Sequence, residues 1–355
     1  YVVSILNNLG IAKNGNELVI PFWRKELTTK ADIAEEIARI DGYDKITTTV
    51  PRVNLGAIIQ DPIYYLKNDS KKYFSDVGFF DVYNYSFVNK PLLEKLNMDI
   101  NACVPLKNYL SEDATHMKNS LIPNLMKGLE DNIRERKDMK LFEIEKVFYV
   151  NGTQVSEDYR LSGVMTSPKD IVYYDIQTIV SDFLKTVFVD NFYFETTDKH
   201  PEYSHAGRVS KIIVRGKEVG YVGEVHPSVS KRFDISDRVG FFEIEVAKLI
   251  PNLYSKTKAK ELSTFQENNF DLSFVVDKST KWREIALTIA GVDKTLIKKV
   301  ELFDIYESEE KLPGKRSLSF KVYIQSMTET LKDDVKSNLI KEIVEKVGKK
   351  WGSLR

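Results

Sequence analysis

Leu121, Leu125, Leu129 and Ile133 recur every four residues, which predicts an amphipathic helix with Pro123 near its start. Val335, Leu339, Ile343 and Val347 form a second stripe with Lys and Glu on the other side, predicting a helix over 331–347 that ends at Gly348. A third begins at Asp32, where Ile33, Ile37 and Ile40 keep helical spacing around Ala34 and Ala38. A helix is also expected over 63–77, closed by Gly78, and a short one at the start of the chain. Runs rich in β-branched and aromatic residues predict strands at 17–21, 81–87, 140–150 and 241–246, and a hairpin over 212–225 turning at Arg215-Gly216-Lys217-Glu218.

Beyond about residue 265 the expected order is strand (272–276), helix (282–290), strand (299–305), strand (317–324) and helix (331–347), with one terminal strand at most. That is the β-α-β-β-α-β order of a ferredoxin-like domain. Pro51, Gly56 and Pro62 mark a linker over 47–62, and the Lys-bearing stretch 255–263 reads as a hinge. The chain therefore reads as α+β in three parts: a small α/β domain at 1–50, a longer α+β segment at 60–255 and the ferredoxin-like domain at 263–355.

Composition narrows the function classes. With 355 residues the chain is long enough for two or three cores. Lys plus Arg and Asp plus Glu are each 52, so no overall cationic field announces nucleic acid, and any RNA contact must come from local patches. The single cysteine, Cys103, excludes an internal disulfide and a cysteine-based zinc site, and fits a reducing compartment. No apolar run is long enough to span a membrane. The opening Tyr1-Val2-Val3-Ser4-Ile5-Leu6 has no basic n-region and no initiator Met, so the chain reads as a piece of something larger. Neither G-x-x-x-x-G-K-[ST] nor G-x-G-x-x-G is present, and His116, His200, His205 and His226 are not at ligand spacing on a helix.

The densest chemistry lies at 26–44, where Glu26, Asp32, Glu35 and Glu36 follow Pro21-Phe22-Trp23-Arg24. Asp32 precedes Glu35 and Glu36 by three and four residues, so all three can crowd the first helical turn. A hard oxygen-seeking cation such as Mg2+ would offset their repulsion. The alternative is ordinary: Asp32 serves the helix N-terminus, with Arg39 nearby.

Phe22-Trp23-Arg24-x-Glu26-Leu27 and the following Ala31-Asp32-Ile33-Ala34-Glu35-Glu36-Ile37-Ala38-Arg39-Ile40-Asp41-Gly42-Tyr43 resemble a stretch of the β subunit of bacterial phenylalanine–tRNA ligase. Three further segments resemble it in the same order. The first is His116-Met117-Lys118-Asn119-Ser120-Leu121-Ile122-Pro123 with Leu141-Phe142-Glu143-Ile144, where Lys118 stands for the family's Arg. The second is His205-Ala206-Gly207-Arg208 with Gly220-Tyr221-Val222-Gly223-Glu224-Val225-His226-Pro227, where Ala206 stands for Pro. The third spans Asp271-Leu272-Ser273-Phe274, Leu302-Phe303-Asp304-Ile305-Tyr306 and Gly314-Lys315-Arg316-Ser317-Leu318, and is similar to that subunit's ferredoxin-like anticodon-binding domain.

The resemblance implies an α+β chain built on a class II synthetase-like antiparallel sheet with helices, preceded by the small α/β domain and followed by the ferredoxin-like one. It implies the C-terminal part of the subunit, without the N-terminal editing module. Glu26, Asp32, Glu35 and Glu36 match the family's Mg2+ ligands, with Glu26 where Asp is usual. The implied enzyme is a cytoplasmic aminoacyl-tRNA ligase that uses ATP, with adenylation on the alpha subunit. This chain would then be a non-catalytic scaffold within an (αβ)2 heterotetramer that also binds tRNA(Phe). Arg134 and Arg136 read as charge on the polar side of the helix around residue 129, not as phosphate ligands. Lys315 and Arg316, beside Gly314, are the expected RNA phosphate contacts. Of Phe320 and Tyr323, at most one can face RNA, because an odd spacing puts them on opposite sides of a strand. The alternatives are a non-enzymatic RNA-binding or assembly protein of the same fold, and a Mg2+-dependent phosphoryl-transfer enzyme using the acidic cluster.

Overall fold

The computed structural model describes residues 1–54, 56, 61–152, 154–253 and 261–355. The expected linker at 47–62 and hinge at 255–263 fall partly outside them. The described chain divides into two units, Tyr1–Asn68 and Asp69–Arg355.

In the first unit, α1 (Val2–Asn8) is followed by a hairpin of β1 (Ala12–Asn14) and β2 (Glu17–Val19), then α2 (Lys30–Asp41). The strand expected at 17–21 is thus one arm of a hairpin whose turn uses Gly15 at φ 60°. Its core is small: Leu6, Ile11 and Leu27 are buried, with Ile33 and Ile37 of α2 packed against them.

Helix α3 (Pro62–Asp76) leads into the second unit. There follow β3 (Phe80–Asp81), β4 (Phe87–Val88), α4 (Lys90–Lys95), β5 (Val104–Pro105), β6 (His116–Met117) and α5 (Ile122–Asn132). The single strand expected at 81–87 is therefore two short strands in different sheets. Between them Asn84 turns inward, and its amide donates to Glu143 at 2.9 Å. Next come β7 (Lys140–Asn151), β8 (Gln154–Ser167), α6 (Tyr173–Thr186), β9 (Phe192–Thr196), β10 (Ser204–Val214), β11 (Lys217–Val225), α7 (Pro227–Arg232), β12 (Arg238–Glu245) and α8 (Val246–Leu249). Because α5 ends at Asn132, Arg134 and Arg136 lie in the turn beyond it and not on the helix. Arg136 instead covers the Phe80 ring at 5.0 Å.

These strands form a seven-stranded sheet in the order β3-β7-β8-β12-β11-β10-β9, antiparallel except for β3 beside β7. Alternation splits Phe241 from Phe242. Phe241 packs with Tyr203 at 5.0 Å in the core shared with α5 and α7. Phe242 stacks on Phe74 of α3 at 5.0 Å, and Phe74 meets Phe183 of α6 at 5.0 Å. Both faces of the sheet are therefore apolar cores. The hairpin of β10 and β11 turns through Arg215 at φ 47° and Gly216 at φ 80°, the left-handed pair that matches strand twist.

The C-terminal part is β13 (Asn268–Asp277), α9 (Trp282–Ala290), β14 (Ile297–Tyr306), β15 (Lys315–Ile324), α10 (Asp333–Lys350) and β16 (Gly352–Leu354), with sheet order β14-β15-β13-β16. This is the ferredoxin-like order the sequence predicts. Gly348 does not end the last helix. The helix runs to Lys350, and Trp351 packs against the same core as Val347. Phe274 and Phe320 stack at 5.9 Å beneath α9 and α10.

Two motif glycines of β11 are steric necessities. A Cβ on Gly220 would stand 2.1 Å from the Glu243 carbonyl oxygen, and one on Gly223 would stand 2.7 Å from that of Arg208. Gly223→Ala must therefore push β10 and β11 apart. The expected loss is about 2 kcal/mol, the usual scale of overpacking, read from urea unfolding of the chain. A loss under about 0.5 kcal/mol would mean the two strands separate without cost.

Candidate nucleic-acid interface and the acidic helix

Strand β15 divides its side chains between two environments. Leu318, Phe320, Val322 and Ile324 are fully buried against the helices. Ser319, Lys321 and Tyr323 alternate with them and so project from the other face. On that face the Tyr323 hydroxyl donates to Glu301 Oε2 at 3.1 Å. Lys299 Nζ donates to the same oxygen at 2.8 Å and lies 5.2 Å from the Tyr323 ring centre. A register shift between Leu302 and Asp304 leaves Phe303 56% exposed. Asp271, Glu301, Phe303, Lys321 and Tyr323 line a hollow of about 180 Å³. Lys299 and Tyr323 hold the Glu301 carboxyl below its ordinary range by hydrogen bonding, so it stays ionised. The hollow offers aromatic faces, carboxylate acceptors and an ammonium donor. Those are the elements that stack a nucleobase and hydrogen-bond its edge.

Phe320 is core and Tyr323 faces outward, so the odd spacing resolves as the sequence requires. The two expected phosphate contacts differ from each other. Lys315 is exposed at the start of β15. Arg316 is turned inward: Nη2 donates to the Thr280 carbonyl at 2.7 Å, Nη1 lies 3.7 Å from Glu307, and Nε is buried without a partner. Arg316 ties β15 to the loop before α9.

In the first unit the four carboxylates go to separate tasks. Asp32 Oδ2 accepts from the Thr28 and Thr29 backbone N–H groups at 2.8 and 2.6 Å, and Thr29 Oγ1 accepts from Asp32 N at 3.3 Å. This reciprocal capping box starts α2. Those backbone donors hold the Asp32 carboxyl below its ordinary range. Glu36 points inward between Arg24 and Arg39, at 2.7 and 2.6 Å. Hydrogen bonds from Arg24 first and Arg39 second bring its carboxyl down to about 2. Arg24 also pairs with Glu26, and Glu35 is exposed. Among the described residues no group of three or more His, Cys, Asp or Glu side chains is placed to hold a metal ion. As folded, the two guanidinium groups offset Glu26 and Glu36, while Asp32 is held by backbone donors.

The central sheet carries buried charges that sequence reasoning did not single out. Lys118 and Glu143 pair at 2.9 Å with 0% and 2% of their side chains exposed. Glu224, fully buried, accepts from Val172 N at 2.8 Å and Tyr173 N at 3.0 Å, and pairs with Arg208 at 2.9 Å. Glu243 Oε1 accepts from Ser120 Oγ at 2.9 Å, Leu121 N at 3.0 Å and Ser162 Oγ at 2.9 Å. The signal was present: Glu143, Glu224 and Arg208 all lie in the motif segments. Burial pushes the Cys103 thiol up to about 11, and His226 accepts from Ser228 N at 3.2 Å as the N-cap of α7.

Three family models match the chain. They are described as phenylalanyl tRNA synthetase beta chain CLM domain over residues 46–246, ferredoxin-fold anticodon binding domain over 263–355 and tRNA synthetase B5 domain over 1–43. The chain is 28% identical over 370 residues to the phenylalanine–tRNA ligase beta subunit of Syntrophus aciditrophicus, covering 98% of this chain and 46% of the relative. It is 26% identical over 371 residues to that of Carboxydothermus hydrogenoformans, covering 99% and 46%. It is 28% identical over 371 residues to that of Listeria monocytogenes, with the same coverage. The chain thus spans about half the length of the curated relatives it matches.

The depressed Glu36 carboxyl links the acidic helix to pH. A folded value near 2 against an ordinary 4.5 means its stabilisation is complete above about pH 4.5 and is lost as pH falls toward 2. In circular-dichroism melts from about pH 5 to about pH 2, the wild-type first transition should fall more steeply than that of Glu36→Gln. Parallel curves for the two proteins would remove Glu36 as the titrating group.

Proposed function

The chain belongs to the phenylalanyl-tRNA synthetase beta-chain family, and on that membership we propose that it is the RNA-binding and assembly part of a phenylalanine–tRNA ligase beta subunit. The ligase joins phenylalanine to tRNA(Phe) with ATP in the cytoplasm, and the adenylation site lies on the alpha subunit of an (αβ)2 heterotetramer. The class II-like central sheet then serves assembly, as a non-catalytic counterpart of the partner's domain. Apolar packing on both of its faces supports that role, because it leaves the sheet centre to side chains. No helix among the described residues is long and apolar enough to cross a membrane.

The observation that carries the RNA reading is the outward face of the C-terminal sheet. A base placed in the hollow stacks on Tyr323 or Phe303 while Glu301 and Asp271 accept from its amino or imino groups. Lys321 and Lys315 supply charge for adjoining phosphates. Arg316 positions the strand from beneath and contacts no phosphate in this reading.

For Glu26, Asp32, Glu35 and Glu36 the proposal is a Mg2+ site in competition with Arg24. The ion takes oxygen ligands and supplies charge that the guanidinium now provides. Its binding therefore requires Arg24 to leave Glu26 and Glu36.

Two measurements test these readings. Fluorescence anisotropy with a tRNA(Phe) anticodon stem-loop should show Tyr323→Ala losing about 1–3 kcal/mol of binding, the cost of one stacked base, and Lys315→Ala losing less. Equal affinity in all three proteins would end the claim on this sheet face and leave assembly as the function. In calorimetric Mg2+ titration of the chain alone, Arg24→Ala should bind about tenfold more tightly than wild type. Binding that is tight in wild type, or unchanged by Arg24→Ala, would exclude the competition.

A further inference from the structure

Two cations at the start of α9 are held by the edge of the other sheet. The Arg283 guanidinium lies 3.4 Å from the centre of the Tyr193 ring. Lys281 Nζ lies 3.3 Å from Glu195 Oε1. Tyr193 and Glu195 are alternate residues of β9, so they project from the same face of the outermost strand in the seven-stranded sheet. Beside this contact a hollow of about 220 Å³ runs between α9 and β14, with Ala286, Leu287 and Val300 on its floor and Arg283, Lys298 and Lys299 on its rim. Lys298 and Lys299 have local partners, the Thr295 carbonyl and Glu301, and Glu284 shares the first turn of α9.

We infer that β9 is a latch on a second RNA-contact strip, and that a phosphodiester backbone displaces it from Lys281 and Arg283. The inference rests on the RNA reading above. Charge complementarity selects the occupant: cations rim an apolar hollow beside α9, and Lys299 on that rim also borders the sheet hollow around Tyr323. The latch is built to yield. Arg283 is held by a neutral ring, and the pair of Lys281 with Glu195 is 52% and 40% exposed. Exposed contacts of both kinds are weak. A phosphate offers a full charge and a two-pronged acceptor for the guanidinium, which a phenol ring does not. Contact of RNA with α9 and contact of β9 with α9 exclude each other. Bound RNA therefore releases the ferredoxin-like domain from the sheet edge, and the empty domain is restrained there.

The test uses the full chain and an anticodon stem-loop in anisotropy titrations over a range of salt. Tyr193→Ala/Glu195→Gln removes the latch without touching the proposed RNA surfaces. It should tighten binding about fivefold. Lys281→Ala/Arg283→Ala in the same background should abolish the gain. It should also flatten the dependence of log affinity on log salt by about 1.4, which is two contacts at about 0.7 each for single strands. Circular-dichroism melts of each variant identify loss of fold. Tyr323→Ala separates the two readings. If it weakens binding while the latch variant leaves affinity unchanged or lowers it, the latch is overturned and the RNA reading stands. If neither wild type nor any variant binds, both fall. If only the latch variant binds, both stand and the latch is strong.

Discussion

The central sheet fixes its helices with carboxylates, and the rest of the second unit depends on that arrangement. The N-cap residues of α5 and α6, Leu121 and Val172, make no side-chain cap bond, although Ser120 Oγ accepts from Ile122 N at 3.2 Å. Each helix takes its first backbone donors to a glutamate on the sheet: Glu243 serves α5 on one face and Glu224 serves α6 on the other. A buried carboxylate needs compensating charge or several donors. Glu224 has two backbone N–H groups and Arg208, while Glu243 has two hydroxyls and one N–H. A helix start is a place where a negative charge is favoured, so each glutamate and its helix stabilise one another. The buried Lys118–Glu143 pair adds a third fixed point, tying the segment before α5 to β7 and, through Asn84, to the bend after β3. Removing one partner of such a pair strands a buried charge at a cost of about 3–5 kcal/mol, although the intact pair adds little net stability.

This arrangement explains the motif residues better than chemistry does. Gly220 and Gly223 let three strands approach where any side chain would collide with backbone. Glu224 follows at once and reaches α6, and His226 starts α7. His205 stacks on His226 at 5.7 Å. The motif run 220–227 therefore encodes a junction where strand, cap and turn meet. Its polar residues Glu224 and His226 are engaged with the fold.

Local pattern carried most of the fold. Helices α5 and α9, strands β7 and β12 and the β10–β11 hairpin follow from periodicity and turn residues, because their signals lie within a few positions of each other. The long-range carboxylates could not be read this way: Glu224 lies 52 residues from Val172, and Glu243 lies 122 from Leu121. The strand expected at 81–87 failed for a related reason. Its β propensity is real, but Asn84 is drawn to a buried acceptor 59 residues away, and that contact breaks the strand. Gly348 failed as a stop signal because Trp351 continues the apolar stripe and outweighs one glycine. At the acidic helix the sequence offered two readings of Asp32, and the capping box realises the one in which it serves the helix start.

Cation engagement decides where a neutral chain can meet RNA. Arg24, Arg39, Arg208 and Arg316 each hold an acidic or carbonyl partner inside the fold. On the ferredoxin-like domain, Lys315 is in the open, and Lys281 and Arg283 have only exposed contacts with β9. With 52 charges of each sign, the chain has no net-charge attraction for RNA. Binding must then be driven by a few local contacts, each screened by salt over about one Debye length. A short-range interface of this kind gains from stacking, which salt barely touches, and that is what Tyr323 and Phe303 supply beside Lys321. On the proposed reading the sheet hollow and the α9 strip divide the work: the first would hold a base largely independent of ionic strength, and the second would add affinity that falls steeply with it.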